Sequence, residues 1–218
     1  FLSRIEWTLD GCGIPRQALP EAACALADRL QGQVPLHFSD ELPQVAILAS
    51  KQSHCLFDLL WRVQSGELAM QVPVVIANHP DLEELCKGFD VPFFCVPVTP
   101  GSKAEAELTI LRLLEEHGIE LVVLAKYMQV LSSGFLESFP NVINIHHSFL
   151  PAFKGAQPYH RAWERGVKLI GATAHYVTED LDDGPIIEQT TFHFRHRDEV
   201  SDLIRKGRDT ERLELARA

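Results

Sequence analysis

Basic charge is scarce in this chain. Its 218 residues carry 20 Lys and Arg against 30 Asp and Glu, a formal charge of −10. A protein that grips nucleic-acid phosphates normally shows the opposite balance, so neither DNA nor RNA is expected as a partner. Long apolar runs are also missing. None approaches the roughly 18 residues that span a bilayer, so no membrane partner is expected. The cysteines Cys12, Cys24, Cys55, Cys86 and Cys95 are odd in number and include no C-x-x-C pair. That pattern argues against a disulfide framework or a zinc site, and for a reducing cytoplasm. Neither a Walker A loop nor a dinucleotide-binding glycine fingerprint is present, so no cofactor is expected. No residue cluster demands a metal. The first residue is Phe1 rather than Met, and Arg4, Glu6 and Asp10 interrupt any signal-peptide core. The start therefore reads as the middle of a longer chain.

What is present is ordinary globular material. Apolar residues make up 46% and charged residues 23%, which excludes disorder. The length suits one large domain, or one domain and a piece of another. Residues 1–9 alternate, with Ile5, Trp7 and Leu9 opposite Arg4, Glu6 and Thr8, and read as a half-buried strand. Pro20 opens a helical stretch, and VPLHF (34–38) reads as a further strand. Residues 1–38 thus form a strand–helix–strand half-module, and 39–44 a polar linker.

From Val45 the pattern changes. Apolar runs at 45–50, 72–78, 92–98, 121–126 and 142–146 are continuous rather than alternating, as in parallel strands covered on both faces. Amphipathic stretches at 54–66, 81–89, 103–118 and 132–139 lie between them. A helix at 156–166, strands near 170–178 and 185–193, and a charged helix from about 198 follow. This alternation predicts an α/β fold built on an open, doubly wound, mostly parallel sheet.

Several polar residues stand out against it. In VINIH, Asn144 and His146 are two residues apart and share one side of a strand. They sit at its carboxyl end, where open α/β sheets bind ligands. His175 lies inside the apolar run GATAHYV, which suits a core histidine as well as a site. EDLDDGPI (179–186) is rich in acids and ends in a Gly-Pro turn. Taken alone, it is a solvated acidic turn. His193 and His196 have a spacing that suits a metal but more often marks a solvated edge. His54 and Cys55 are adjacent, and adjacent helical residues do not face one another.

The run NVINIHHSFLPAFKGAQPYHRAWERGVKLIGATAHYVTEDLDDGPII closely resembles the catalytic core of the folate-dependent formyltransferase superfamily. That family carries an N-x-H motif at a strand end, an S-L-L-P loop, and an Asp in an L-D-x-G turn. The corresponding residues are Asn144, His146, the loop around Ser148–Pro151, and Asp182. LAKYMQVL (124–131), GAQPYHRAWERGVK (155–168) and IGATAHYV (170–177) resemble the branch that deformylates 10-formyltetrahydrofolate. The first 38 residues resemble part of an ACT regulatory domain, an α+β ferredoxin-like fold. The implied organisation is a partial ACT-like domain at 1–38, a linker at 39–44, and a formyltransferase-like catalytic domain at 45–218. The family continues past the final helix, so the C-terminus reads as truncated.

The resemblance implies an enzyme, a hydrolase acting on a linear amide C–N bond. It would release formate and tetrahydrofolate, supply formate for purine biosynthesis and balance one-carbon folate pools. Asn144 would donate an N–H to the oxyanion, His146 would carry the proton, and Asp182 would orient His146 and activate water. The folate slot is expected to involve Lys126, Met128, Gln129, Val130, Leu131 and His175. Lys126 could also fill space that an acceptor substrate would need. Expected partners are the folate substrate, amino-acid effectors (methionine and glycine) at the ACT-like part, and a further copy in a homo-oligomer. Two alternatives stay open. One is formyl transfer to an amine such as glycinamide ribonucleotide, disfavoured because residues 50–55 lack glycines for a phosphate cradle. The other is a non-catalytic folate or amino-acid sensor.

Overall fold

The computed structural model describes residues 3–155 and 157–218. The chain divides into two compact units, Phe1–Glu41 and Leu42–Ala218.

The first unit contains one α-helix, α1 (Leu19–Leu30), with Pro20 in its first turn and Gln31 closing it in the left-handed region at φ 51°. Arg16 lies over the Phe38 ring at 4.2 Å and pairs with Asp40 and with Glu41, the latter at 2.8 Å. The expected strands at 1–9 and 34–38 are not formed among the described residues of this unit. Arg4 through Leu9 are instead exposed on both sides of the alternation. Alternation supplies an apolar face, but a strand also needs a neighbour for its N–H and C=O groups, and this unit holds none among the described residues. The ACT-like fold expected for this segment is therefore not seen in it.

The second unit is a seven-stranded sheet. Its elements are β1 (Gln44–Ala49), α2 (His54–Gln64), β2 (Gln71–Ala77), α3 (Glu83–Lys87), β3 (Phe93–Cys95), α4 (Lys103–Glu116) and β4 (Leu121–Ala125). They continue with α5 (Ser133–Ser138), β5 (Val142–His146), α6 (Pro158–Glu164), β6 (Leu169–Tyr176), β7 (Ile186–His193) and α7 (Val200–Arg217). The strand order is β3-β2-β1-β4-β5-β6-β7. β1 to β5 run parallel, and β6 and β7 are antiparallel additions. The mixed, mostly parallel α/β sheet is the one the apolar runs predict. β3 is shorter than its run of 92–98, because Pro92 and Pro97 flank it and neither can donate to a ladder.

Side chains of β1 separate cleanly. Val45, Ile47 and Ala49 pack with Leu56 and Leu59 of α2, Cys86 of α3 and Leu215 of α7. Ala46 and Leu48 pack with Ile110 and Leu114 of α4 and Phe135 of α5. Both faces are thus buried, which is why the strands read as unbroken apolar runs. β1 is flanked by β2 on one side and β4 on the other, so the chain changes direction across the sheet at β1 and β4. Their carboxyl ends form the crevice where this class of sheet takes ligands.

Candidate active site

β5 is held by β4 on one side and β6 on the other. This register sets Asn144 beside Leu124 and opposite His175, and His146 opposite Thr173. The His175 ring turns one nitrogen to its own strand's end: Nδ1–H donates to the Tyr176 carbonyl at 2.9 Å. That leaves Nε2 as an acceptor, and the Asn144 Nδ2 amide donates to it at 3.3 Å. The bond orients the Asn144 amide and leaves its second N–H for a ligand.

Asp182 arrives from the turn after β6. Its backbone is left-handed at φ 54°, a conformation Asp tolerates better than most residues. The turn folds back on Tyr176, whose N–H donates to the Pro185 carbonyl at 2.9 Å. Gly184 permits the approach: a Cβ there would lie 1.8 Å from the Tyr176 carbonyl oxygen. This is the physical content of the glycine in the L-D-x-G turn. The Asp182 carboxylate then accepts from His146 Nδ1 at 3.3 Å through Oδ1, and from the Gly155 N–H at 3.1 Å through Oδ2.

The loop 147–155 closes the other side. The buried Thr173 hydroxyl donates to the Ser148 carbonyl at 2.8 Å and accepts from the Leu150 N–H at 3.1 Å and Gln189 Nε2 at 2.9 Å. Gln189 also donates to the Leu150 carbonyl at 2.9 Å. Pinned this way, the loop brings the Phe153 carbonyl within 3.4 Å of His146 Nε2. Both ring nitrogens of His146 therefore face oxygen acceptors. Thr173 and Gln189 were not singled out by the sequence. A polar residue at a fully buried position of an apolar strand is the signal that marks Thr173.

The charges in this cluster are opposed by burial. Burial alone pushes the Asp182 carboxyl up, but the His146 hydrogen bond and charge, with the Gly155 N–H, hold it below the ordinary value. Burial pushes the His175 pKa down against the Tyr176 carbonyl and Asp182. His175 is therefore neutral near pH 7, and its 3.8 Å approach to Asp182 is not an ion pair. His147, packed between the rings of His146 (5.2 Å) and Tyr159 (5.6 Å), is driven down to about 3 by burial and by the charge of Lys126.

The expected folate-slot residues divide. Met128 and Val130 are exposed and Gln129 is half-buried, all at the carboxyl end of β4. Leu131 is buried in the core against α4 and α5. Lys126 is also buried, with Nζ 3.3 Å from Glu211 of α7. His175 holds the Asn144 amide. Glu211 further accepts from His54 Nε2 at 2.7 Å and from the Tyr159 hydroxyl at 2.6 Å. His54, Cys55 and Glu211 offer ligand atoms within 4.8 Å of one another. Lys126, however, already places a cation on that carboxylate, and burial raises the Cys55 thiol far above the thiolate range. His193 and His196 are exposed.

An amide N–H donor and a carboxylate-held imidazole at the carboxyl end of a doubly wound sheet define an enzyme site for acyl chemistry on a small molecule. Residues 43–218 match the formyl transferase family. A formyltetrahydrofolate deformylase of Synechocystis sp. is 56% identical over the whole chain, which spans 77% of that relative. A crystal structure of a formyltetrahydrofolate deformylase from Pseudomonas syringae pv. tomato superposes with TM-score 0.91 at 45% identity, covering 95% of this chain and 70% of that one. Glycinamide ribonucleotide transformylase 1 from Symbiobacterium toebii superposes with TM-score 0.76 at 30% identity, covering 84% and 88%. The chain belongs to the formyl transferase family, on the branch of the formyltetrahydrofolate deformylases. Among the described residues, no helix is long and apolar enough to cross a membrane.

Proposed function

We propose that the chain hydrolyses 10-formyltetrahydrofolate to formate and tetrahydrofolate. The observation that carries this reading is the convergence of Asn144, His146 and Asp182 at one strand end, in a chain 56% identical to a named deformylase. Water adds to the formyl carbon, and the new negative charge on the formyl oxygen meets the free N–H of Asn144. One water proton passes to the Asp182–His146 pair, and His146 returns a proton to N10 as the C–N bond breaks. Formate and the secondary amine leave. Met128, Gln129 and Val130 flank the pterin. By the same resemblance we place the reaction in the cytoplasm. There formate feeds purine synthesis, methionine and glycine act through the ACT-like part at 1–38, and the enzyme assembles as a homo-oligomer.

The test is formate release from 10-formyltetrahydrofolate with no acceptor added. Steady release is expected, with Asn144→Ala lowering kcat by about 10²–10³-fold, as for loss of one oxyanion donor. Turnover only after adding an amine acceptor would refute hydrolysis in favour of transfer.

A further inference from the structure

The hydrolytic reaction uses none of the groups buried around Glu211, although they occupy the crevice at the sheet's change of direction. Register places Lys126 just past β4, level with Ser50 after β1 and with His146 on β5. By strand alternation its side chain would share the face of Val122 and Leu124, which pack on α4 and α5. Its backbone is instead left-handed at φ 62°. That breaks the alternation and sends Nζ to Glu211 on α7, a helix of the opposite face. A lysine held at positive φ accepts a conformational cost for this placement. The Lys126 and Glu211 side chains are only 4% and 2% exposed.

The cluster is fully partnered. The two Glu211 oxygens receive Tyr159 on one and His54 with Lys126 on the other. Burial would raise the Glu211 carboxyl, but these partners outweigh it and hold it at about 2. Gly207, one turn earlier on α7, makes room for the Tyr159 hydroxyl, which a Cβ there would meet at 2.0 Å. Ser50, level with Lys126 in the register, accepts the Met128 N–H at 2.9 Å. His147 packs its ring between those of Tyr159 and His146, so the cluster stands one ring away from the reacting end of β5.

We propose that the Lys126–Glu211–His54 cluster is a plug that closes the acceptor half of the crevice, so that water and not an amine reaches the formyl carbon. The inference rests on the hydrolytic reading and names its specificity determinant. Lys126 already sets a primary ammonium on the carboxylate that would otherwise be free to hold an incoming amine. Displacing one partner of a buried ion pair strands the other, which small solutes cannot offset. With the plug removed, an amine nitrogen attacks the formyl carbon, its C–N bond forms as the bond to N10 breaks, and the amine's proton ends on N10.

The experiment measures how the formyl group partitions. Wild type, Lys126→Gly, Lys126→Met and Glu211→Gln are each given 10-formyltetrahydrofolate with glycinamide, a weakly basic primary amine. Formate and N-formylglycinamide are quantified together by mass spectrometry. The ratio is internal to each enzyme, so a general loss of activity does not move it. Wild type should yield formate almost alone, and Lys126→Met, which keeps the bulk but removes the ammonium, should raise the formylamide share less than Lys126→Gly. Lys126→Gly should raise the formylamide-to-formate ratio at least tenfold, with Glu211→Gln raising it less. An unchanged ratio in Lys126→Gly, or comparable amounts of both products from wild type, would overturn the plug. If no variant turned over at all, the cluster would belong to the chemistry itself and the specificity role would fall. If wild type released no formate, the hydrolytic reading would fail first, and the plug with it.

Discussion

Replacing Gly184 with alanine tests whether the L-D-x-G turn works through space alone. The new Cβ would sit 1.8 Å from the Tyr176 carbonyl oxygen, where ordinary contact begins at 3.4 Å. The turn and the end of β6 must therefore part by about 1.6 Å, and misplacing catalytic groups by ~1 Å costs on the order of 10²-fold in rate. Two contacts of the proposed catalytic groups depend on those atoms. Asp182, two residues before Gly184, would lose its 3.3 Å contact with His146. The same Tyr176 carbonyl accepts His175 Nδ1–H at 2.9 Å, so the orientation of Asn144 would loosen as well. The expectation is a fall in kcat for formate release of about 10²-fold or more. Gly184 is buried but its neighbours Asp183 and Pro185 are exposed and free to shift, so the accompanying loss of stability should stay within the ~1–3 kcal/mol typical of overpacking. Formate release and a urea denaturation curve measure the two separately. Activity within threefold of wild type would show that the turn can shift without moving Asp182, and would refute the argument.

His175→Leu keeps the volume but removes the acceptor that orients Asn144. A drop in kcat of about 10-fold or more is expected, and His175→Gln, which keeps an acceptor, should recover part of it. A change in KM alone would instead assign His175 to ligand binding. Gly207→Ala puts a Cβ 2.0 Å from the Tyr159 hydroxyl and 2.3 Å from its ring Cζ, so it should lower stability by ~1–3 kcal/mol, most of that loss disappearing in a Tyr159→Ala background, which removes the ring as well as the hydroxyl. Additive losses in a double-mutant cycle would refute that coupling. The His147 pKa is driven from 6.5 to about 3 by burial, so between those values the unfolded chain binds a proton that the folded chain refuses. Stability contributed by neutral His147 is therefore present above pH 6.5 and is lost by up to ~1.4 kcal/mol per pH unit as the pH falls. His147→Gln should flatten this dependence in denaturation curves at pH 7, 6 and 5. A slope unchanged from wild type would contradict it.

Much of the sheet was legible because burial on both faces leaves a one-dimensional mark. Unbroken apolar runs such as VAILAS and VPVVIAN are too short for a typical helix and too apolar for a solvated one, which leaves a covered strand. The N-x-H pair was legible for a related reason: the period of a strand is two, so Asn144 and His146 had to share a side. Asp182 was legible only as a member of the L-D-x-G turn, not from its charge, which was one acid among four.

Other features had no local mark. Whether FLSRIEWTL pairs as a strand depends on a neighbour that alternation cannot supply, and residues 3–9 stay open. The task of His175 exists only through the β5–β6 register that sets it opposite Asn144. Lys126 reads as a strand-end residue of the ligand slot until a left-handed backbone carries it to the other face. Glu211 sits in a helix so charged that it reads as solvated, yet it is among the most buried side chains in the chain. The sequence by itself determined the doubly buried strands of the sheet and the residue types available for the chemistry, because these follow from local periodicity and side-chain identity. Only the tertiary structure decided which polar groups meet, because hydrogen bonds and buried ion pairs depend on distances between segments far apart in the chain.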